Sequence, residues 1–294
     1  MAGSAAALGV LAGAAVAGVE NDVFPGRIVL NGLLGLGEVD LEPPGGPAGR
    51  LQEGRFRSAR RGREVGWTLG TPPGVAADGL PLVLAMHGRG GAHRDAFDGL
   101  SMHRFLAAHC RAGGAPMAVL SMDAGSTYWH PRAGPSGSAT DDPIGMLLDE
   151  LLPLAERLRL DVGRLATIGW SMGGFGSLLL ARQSARDALG RYRLRAAVAA
   201  SPAIFASASA VSGGSFDSAE DWRRWGALAD DPGTGDLPLH VSCGYDDPFA
   251  PATRRYRSRV TPAPAGGRGP GRHTAGYWRS LLPGQLAFLA RELG

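Results

Sequence analysis

The sequence feature that most constrains the fold is a serine between two glycines, at the junction of an apolar run and a helix-forming stretch. Residues 169–173 read Gly-Trp-Ser-Met-Gly, with the apolar residues 165–168 before them and the helix-forming residues 177–185 after them. A serine at such a strand-to-helix corner projects from the backbone, and small neighbours keep the sharp turn free of clashes. The pattern predicts a nucleophile at Ser171. The alternative is a glycine-rich turn in which Ser171 only caps the following helix.

A serine nucleophile needs a base and an acid, because its hydroxyl reacts poorly at neutral pH until an imidazole removes its proton. Both groups follow Ser171 in the chain. Asp246 and Asp247 come after the apolar residues 237–241, and His273 precedes a final helical stretch. Side chains of consecutive residues leaving a strand point in different directions, so the two aspartates compete for the role of the acid.

His273 is the candidate base because it is the only histidine after the two aspartates. Most of the other histidines have structural interpretations: His103 and His109 lie on a helix-like segment, and His240 lies within a strand-like run. The approach to His273, residues 262–271, is rich in proline and glycine. It predicts a mobile loop that carries the base to the serine.

A second glycine-rich turn is the candidate oxyanion site. The apolar residues 82–86 lead directly into residues 87–91, His-Gly-Arg-Gly-Gly, one strand and helix unit before the serine. Backbone amides in such a loop approach a substrate closely. We therefore predict that the N–H groups of Arg89 and Met172 form the oxyanion hole. The alternative is an ordinary glycine turn.

Tyr128 and Trp129 are candidates for a substrate-binding platform. They follow the apolar residues 117–120, and loops at the carboxyl ends of parallel strands line the crevice of α/β folds. Flat aromatic side chains pack against acyl chains, aryl groups or sugar faces at low entropic cost. The alternative is that the two rings only pack the loop onto the core.

From about Phe56 to the C-terminus, the chain resembles the esterase branch of the α/β-hydrolases. This branch includes esterase D type S-formylglutathione hydrolases, feruloyl and acetylxylan esterases, and mycobacterial mycolyltransferases. The segments that carry the resemblance are His87-Gly88, the Gly-Trp-Ser-Met-Gly-Gly run at 169–174, Asp247-Pro248-Phe249, and His273 before Tyr277-Trp278. The His-Gly-Arg-Gly-Gly loop and a Tyr-Trp-His-Pro segment look most like those of secreted bacterial members.

The resemblance implies a serine carboxylic-ester hydrolase with a Ser-His-Asp triad and an acyl-enzyme intermediate. A Gly-x-x-Asp pattern follows the corresponding strand in the family; it matches Gly244 to Asp247, favours Asp247 as the acid, and leaves Asp246 to hold the loop. Many relatives have histidine where this chain has Trp170, which adds apolar surface beside the nucleophile and makes Trp170 a substrate-binding candidate. The implied substrate is a small-molecule or carbohydrate ester.

Two alternative functions remain open at the level of the sequence. One is an acyltransferase that passes the acyl group to a sugar hydroxyl on the same fold. The other is a catalytically idle member of the fold that acts as a binding or cell-envelope protein.

Length and composition agree with one large α/β domain whose mostly parallel sheet is covered by helices on both faces. The chain has 294 residues, and its apolar strand-like runs alternate with helical stretches. Its 30 Lys and Arg positions are all arginine and the net charge is only +3, which argues against nucleic acid as a partner. Arg57, Arg60, Arg61 and Arg63 cluster in a predicted edge strand, where charges discourage aggregation.

The cysteine, histidine and carboxylate spacings predict no metal site and no cofactor. Cys110 and Cys243 are too few for a disulfide framework, so we expect two separate, buried thiols, with a single bridge as the alternative.

The N-terminal region divides into residues 1–20, an apolar segment, and residues 21–55, a Pro- and Gly-rich extension, before the catalytic domain at 56–294. Residues 5–19 are small and apolar and contain an Ala-Val-Ala sequence, although no basic residue precedes them. We expect an export signal or anchor, and with it a secreted or cell-envelope location in which the N-terminus contacts the membrane or envelope. The alternative is an uncleaved helical extension on a cytoplasmic protein.

Overall fold

The apolar runs of the sequence form the strands of an eight-stranded sheet in the computed structural model, which describes residues 39–133, 141–211 and 213–294. Val, Leu, Ile and Ala dominate the central strands, and these strands are buried along most of their length. Continuous apolar runs of this kind are typical of strands covered on both faces. The strands are β1 (Arg50–Ser58), β2 (Arg63–Thr71), β3 (Pro81–Met86), β4 (Ala118–Met122), β5 (Asp161–Trp170), β6 (Leu194–Ala200), β7 (Leu239–Gly244) and β8 (Arg268–Gly269).

The order of strands across the sheet is β1-β2-β4-β3-β5-β6-β7-β8. The β1–β2 and β2–β4 pairs are antiparallel, and all pairs from β4 to β8 are parallel. The carboxyl ends of β3, β5 and β7 therefore meet at one edge of the sheet, where the glycine-rich loop 87–91, Ser171 and the two aspartates follow them. The predicted mostly parallel α/β fold is confirmed.

Helices cover both faces of the sheet, and short polar side chains cap the N-termini of three of the described helices. Asp142 accepts a hydrogen bond from Gly145 N–H, and Thr274 accepts one from Tyr277 N–H. The helices are α1 (Asp95–Asp98), α2 (Met102–Arg111), α3 (Pro143–Met146), α4 (Leu152–Arg157), α5 (Met172–Ala185), α6 (Ala219–Asp221), α7 (Ala250–Arg257) and α8 (Ala275–Leu293), with π-helical turns at Leu147–Leu151 and Trp222–Gly226 and 3-10 turns at Ala208–Ala210 and Ala227–Ala229.

The core has two apolar layers, one on each face of the sheet. Alternate residues of β3 divide between them, because successive side chains of a strand point to opposite faces. Met86 packs in the layer with Phe175 of α5, whereas Val83 packs in the layer with Leu106 of α2 and Leu286 of α8. Helix α5, which follows the serine, is buried nearly all round, and this holds the serine corner rigidly.

The described part of the extension before β1 lies along the domain. Asp40 forms a bidentate ion pair with Arg279 of α8, with Nη2–Oδ2 at 2.6 Å and Nε–Oδ1 at 3.0 Å. Strand β1 begins at Arg50, within the segment 21–55 that the sequence assigns to the extension. The predicted apolar segment 1–20 lies outside the described residues, and none of the helices in the described ranges is long and apolar enough to cross a membrane.

The arginine cluster differs from the edge strand that we predicted for it. Strand β1 does form one edge of the sheet and carries Arg57, but Arg60 and Arg61 lie in the turn after it. Arg61 is buried and pairs with Asp141. We predicted one strand because the arginines alternate with other residues along the sequence. The position of Arg61, however, depends on partners that are distant in the sequence.

The two cysteines are free thiols. Cys110 lies on α2 and is half-buried, and Cys243 lies near the end of β7 and is buried. Burial raises the pKa of the Cys243 thiol, so the thiol stays protonated and unreactive at neutral pH.

Candidate active site

Ser171 occupies a sharp turn between β5 and α5. Its φ and ψ angles are 55° and −123°, a combination that L-residues rarely adopt. The turn requires glycine on both sides: a Cβ atom at Gly169 would overlap the Gly173 carbonyl, and one at Gly173 would overlap the Met86 carbonyl. The Ser171 N–H donates a hydrogen bond to Ala200 O at 3.0 Å, which fixes the corner to β6. This strained conformation is that of a nucleophile elbow.

His273 lies between Ser171 and Asp247. Its Nε2 atom is 2.8 Å from Ser171 Oγ, and its Nδ1 atom is 2.8 Å from Asp247 Oδ2. When the Nδ1 proton is donated to the carboxylate, Nε2 is left to accept the hydroxyl proton. The Asp247 side chain has no solvent-exposed area, and its Oδ1 accepts a further hydrogen bond from Phe249 N–H at 2.9 Å.

Asp246, the other aspartate that the sequence left open, helps to connect two loops. Its N–H donates to Gly271 O at 3.1 Å. At this point the loop after β7 and the loop before His273 come so close that a Cβ atom at Gly244 would overlap the Gly271 carbonyl. Gly271 itself has a φ of 149° and lies against the ring of Tyr277. Two glycines thus permit the approach that brings His273 to Asp247.

The loop before His273, which we predicted to be mobile, is attached to the edge of the sheet. Strand β8 pairs in parallel with the end of β7, and a bridge joins His240 to Ala265. The Arg257 guanidinium donates to Ala265 O at 2.9 Å and to Pro264 O at 3.0 Å. The base is therefore positioned before any substrate arrives.

Two aromatic rings border the imidazole of His273. Phe249 and Trp278 contact it edge-on, with ring centroids 5.3 and 5.0 Å away. Trp278 in turn lies 6.4 Å from Trp170, the residue before the serine. Neither Phe249 nor Trp278 was predicted to contact the base; the available signal was that Phe249 lies two residues after Asp247 and Trp278 five residues after His273.

A cleft of about 340 Å³ opens at Ser171, and its lining includes residues 88–91 of the glycine-rich loop and the two tryptophans. The Arg89 guanidinium reaches away from the loop and donates to Gly213 O at 2.8 Å. The lining residues are Gly88, Arg89, Gly90, Gly91, Asp95, Trp170, Ser171, His273 and Trp278. Arg89 thus lines the cleft, and Met172 follows the serine as the first residue of α5; the role of their N–H groups as oxyanion donors stays a prediction.

Tyr128 and Trp129 do not line the cleft. The two residues are 3% and 0% exposed, and both have positive φ angles. Trp129 packs against the ring of His87, and Tyr128 packs against Phe175 and neighbouring phenylalanines. Neither ring offers exposed surface to a substrate. Both rings pack the loop onto the core, which is the alternative that the sequence left open.

His87, the first residue of the glycine-rich loop 87–91, is fully buried and hydrogen-bonded at both ring nitrogens. Its Nε2 accepts from Ala124 N–H at 2.9 Å, and its Nδ1 lies 2.7 Å from Gly88 O. Burial lowers the pKa of His87, so the imidazole is neutral at neutral pH. With Nε2 as acceptor, the ring proton is on Nδ1 and is donated to the Gly88 carbonyl.

The fold and the geometry at the serine define a serine hydrolase of the α/β-hydrolase class. A sequence model of the esterase family, described as "Putative esterase", matches residues 58–289. The chain belongs to this family, and with it to the carboxylic ester hydrolases. No curated protein sequence matches the chain.

Several solved structures share the fold at low sequence identity. A ferulic acid esterase matches with a TM-score of 0.68 at 17% identity, over 84% of this chain and 99% of its own. An S-formylglutathione hydrolase from Agrobacterium tumefaciens matches with a TM-score of 0.68 at 16% identity, over 87% of this chain and 100% of its own. The fluorophosphonate-binding serine hydrolase F of Staphylococcus aureus matches with a TM-score of 0.63 at 17% identity, over 83% of this chain and 99% of its own.

Proposed function

We propose that this protein hydrolyses carboxylic esters by covalent catalysis at Ser171, with His273 as general base and acid and Asp247 as its partner. The single observation that carries the proposal is the pair of 2.8 Å distances that join His273 to Ser171 Oγ and to Asp247 Oδ2. These distances allow proton transfer without rearrangement, because a general base must lie within hydrogen-bond reach of the proton that it removes.

In the first half-reaction, Ser171 Oγ attacks the ester carbonyl carbon while its proton passes to His273 Nε2. The imidazolium that forms is stabilised by the buried Asp247 carboxylate. The tetrahedral intermediate then collapses, the bond to the alcohol breaks, and the alcohol leaves with the proton from His273. In the second half-reaction, water loses a proton to His273 and attacks the acyl-serine carbonyl; the bond to Ser171 Oγ then breaks, Oγ takes the proton back from His273, and the acid is released.

The negative charge of the intermediate needs donors at the position of the carbonyl oxygen. We assign these to the backbone N–H groups of Arg89 and Met172, as the sequence motif predicts. Arg89 lines the cleft at the serine, and Met172 begins the helix that follows it. Removal of one such donor typically costs on the order of 10²- to 10³-fold in kcat.

The walls of the cleft favour a substrate with an apolar or aromatic group next to the ester. Trp278 and the edge of Trp170, which is only 5% exposed, line the cleft, and aromatic rings bind aryl groups and sugar faces at low entropic cost. Asp95 and the glycine-rich loop add polar groups to the lining. A small-molecule or carbohydrate ester fits this combination.

The proposal is tested by assaying purified protein, Ser171→Ala and His273→Ala with short p-nitrophenyl esters. We expect hydrolysis by the wild type and a loss of about 10³-fold or more in each variant. Addition of a sugar alcohol tests the acceptor: free acid as the main product supports hydrolysis, and an acylated sugar identifies a transferase. Wild-type protein that is folded but inactive towards every ester would contradict the proposal.

A further inference from the structure

We propose that Arg61 is a positioning residue for the oxyanion site, and that it acts through Ala124 and His87 on the peptide between Gly88 and Arg89. The inference rests on the proposed function, because it takes the Arg89 N–H as an oxyanion donor. Arg61 lies in the turn between β1 and β2, next to the loop that follows the carboxyl end of β4.

The first link is the contact of Arg61 with the loop after β4. Its side chain is only 1% exposed, and its guanidinium donates to Asp123 O at 2.7 Å and to Ala124 O at 2.8 Å. Asp141 balances the charge, with Nε–Oδ1 at 2.6 Å and Nη2–Oδ2 at 3.0 Å. A planar guanidinium can hold two consecutive carbonyls and a carboxylate together, whereas a lysine ammonium cannot match this geometry.

The second link is Ala124, whose main-chain carbonyl and N–H groups are both hydrogen-bonded to side chains. Its carbonyl accepts from Arg61, and its N–H donates to His87 Nε2 at 2.9 Å. The donated hydrogen bond makes Nε2 an acceptor and therefore puts the ring proton on Nδ1. Trp129, which packs on the His87 ring with centroids 5.4 Å apart, restricts the ring from the side.

The third link is the peptide between Gly88 and Arg89. His87 Nδ1 lies 2.7 Å from Gly88 O, and Gly91 N–H donates to the same oxygen at 3.1 Å. In a trans peptide, the carbonyl and the next N–H point in opposite directions. The two hydrogen bonds that hold the Gly88 carbonyl therefore also orient the Arg89 N–H, which points away from His87 in the loop that lines the cleft.

This arrangement predicts an effect on the transition state and little effect on substrate affinity. The oxyanion exists only after Ser171 has attacked, so a misdirected Arg89 N–H lowers kcat and leaves KM nearly unchanged. A purely structural role for Arg61 would lower thermal stability and would not change the affinity for a tetrahedral analogue selectively.

The test uses Arg61→Met, Arg61→Lys and the matched control Arg63→Met. Arg63 pairs with the same Asp141 at 3.2 Å, but its side chain is 59% exposed. The readouts are kcat and KM with p-nitrophenyl acetate, and inhibition by a trifluoromethyl ketone, which adds to the serine to give an oxyanion. For both Arg61 variants we expect a 10- to 100-fold loss of kcat, KM within about twofold, and a matching loss of inhibitor affinity. Arg63→Met should remain within about twofold of wild type.

A second pair of variants keeps the test decisive if the Arg61 variants do not fold. In His87→Asn, the side-chain amide nitrogen takes the position of Nδ1 and keeps a donor near Gly88 O. In His87→Gln, the amide takes the position of Nε2 instead, and the donor near Gly88 O is lost. Asparagine should therefore retain at least tenfold more inhibitor affinity than glutamine. Equal affinities would overturn the proposal, as would folded Arg61 variants with wild-type kcat and inhibition, or a loss of kcat without weaker inhibition. A wild type without esterase activity would instead show that the proposed function is wrong.

Discussion

The Nε2 atom of His273 lies 2.8 Å from the Oγ atom of Ser171, although 102 residues separate the two along the chain. They meet because the serine follows β5, while the histidine lies in a loop attached to β7 through β8. Strands β5 and β7 are separated only by β6, and parallel strands end at the same edge of the sheet. The position of the base is thus a consequence of sheet topology. It can be tested by substituting the residues that hold His273 in place.

The aspartate that orients His273 is Asp247 in our account, and Asp247→Asn should lower kcat by about 10⁴-fold. The asparagine amide favours the wrong tautomer of the imidazole, because it donates where the carboxylate accepted. Asp246→Asn is the matched control and should retain activity within about tenfold, since its main-chain N–H still donates to Gly271 O. The measurement is hydrolysis of p-nitrophenyl acetate. A larger loss in Asp246→Asn than in Asp247→Asn would contradict the assignment.

Gly271→Ala should reduce both stability and kcat. The residue has a φ of 149°, and a Cβ atom there would overlap the ring of Tyr277. We expect the free energy of unfolding to fall by about 2 kcal/mol or more, and kcat to fall at least tenfold because His273 lies two residues further on. Gly267→Ala, where a Cβ atom meets nothing within 4 Å, is the control and should change neither value markedly. Denaturant unfolding and steady-state kinetics provide the readouts.

Trp129 and Trp278 should respond differently to truncation, because one ring is in the core and the other lines the cleft. Trp129→Ala should lower the free energy of unfolding by about 3–5 kcal/mol. Trp278→Ala should cost less stability and should raise KM for aryl esters several-fold, because it removes part of the cleft wall. Denaturant unfolding compared with KM separates the two effects. A Trp129→Ala variant with normal stability and an altered KM would instead support a role for Trp129 in substrate binding, which its burial argues against.

Stability should fall as the pH drops below 6.5, because buried histidines resist protonation. Burial lowers the pKa of His240 to about 4 from its ordinary value of 6.5, so the unfolded chain binds a proton in this range before the folded protein does. The loss from this residue should reach about 3 kcal/mol at pH 4. Denaturant unfolding between pH 7.5 and 4 measures it, and His240→Gln should flatten the curve over this window. An unchanged slope in the variant would rule out His240 as a contributor.

The sequence was sufficient to predict the sheet and the order of the functional groups, because both depend on local signals. Continuous apolar runs indicate buried strands, and the glycines around Ser171 indicate a turn that only small residues tolerate. The Gly-x-x-Asp pattern likewise pointed to Asp247, which is the aspartate within 2.8 Å of His273.

The parts that the sequence could not predict depend on distant contacts or on backbone angles. Tyr128 and Trp129 follow a strand as exposed platform residues would, but both have positive φ angles and their rings pack against the distant rings of Phe175 and His87. The glycine-rich loop before His273 resembles a mobile segment, but hydrogen bonds from Arg257 attach it to the sheet. The burial of Arg61 likewise depends on carbonyls at Asp123 and Ala124, more than sixty positions away.

The most direct test of the central claim is reaction of the folded protein with a fluorophosphonate probe, followed by mass spectrometry to locate the modified residue. Our account predicts stoichiometric labelling of Ser171, no labelling in Ser171→Ala, and at least 100-fold slower labelling in His273→Ala, because the base that activates the hydroxyl is missing. Folded wild-type protein that leaves Ser171 unmodified, or that reacts equally fast without the imidazole of His273, would contradict the account.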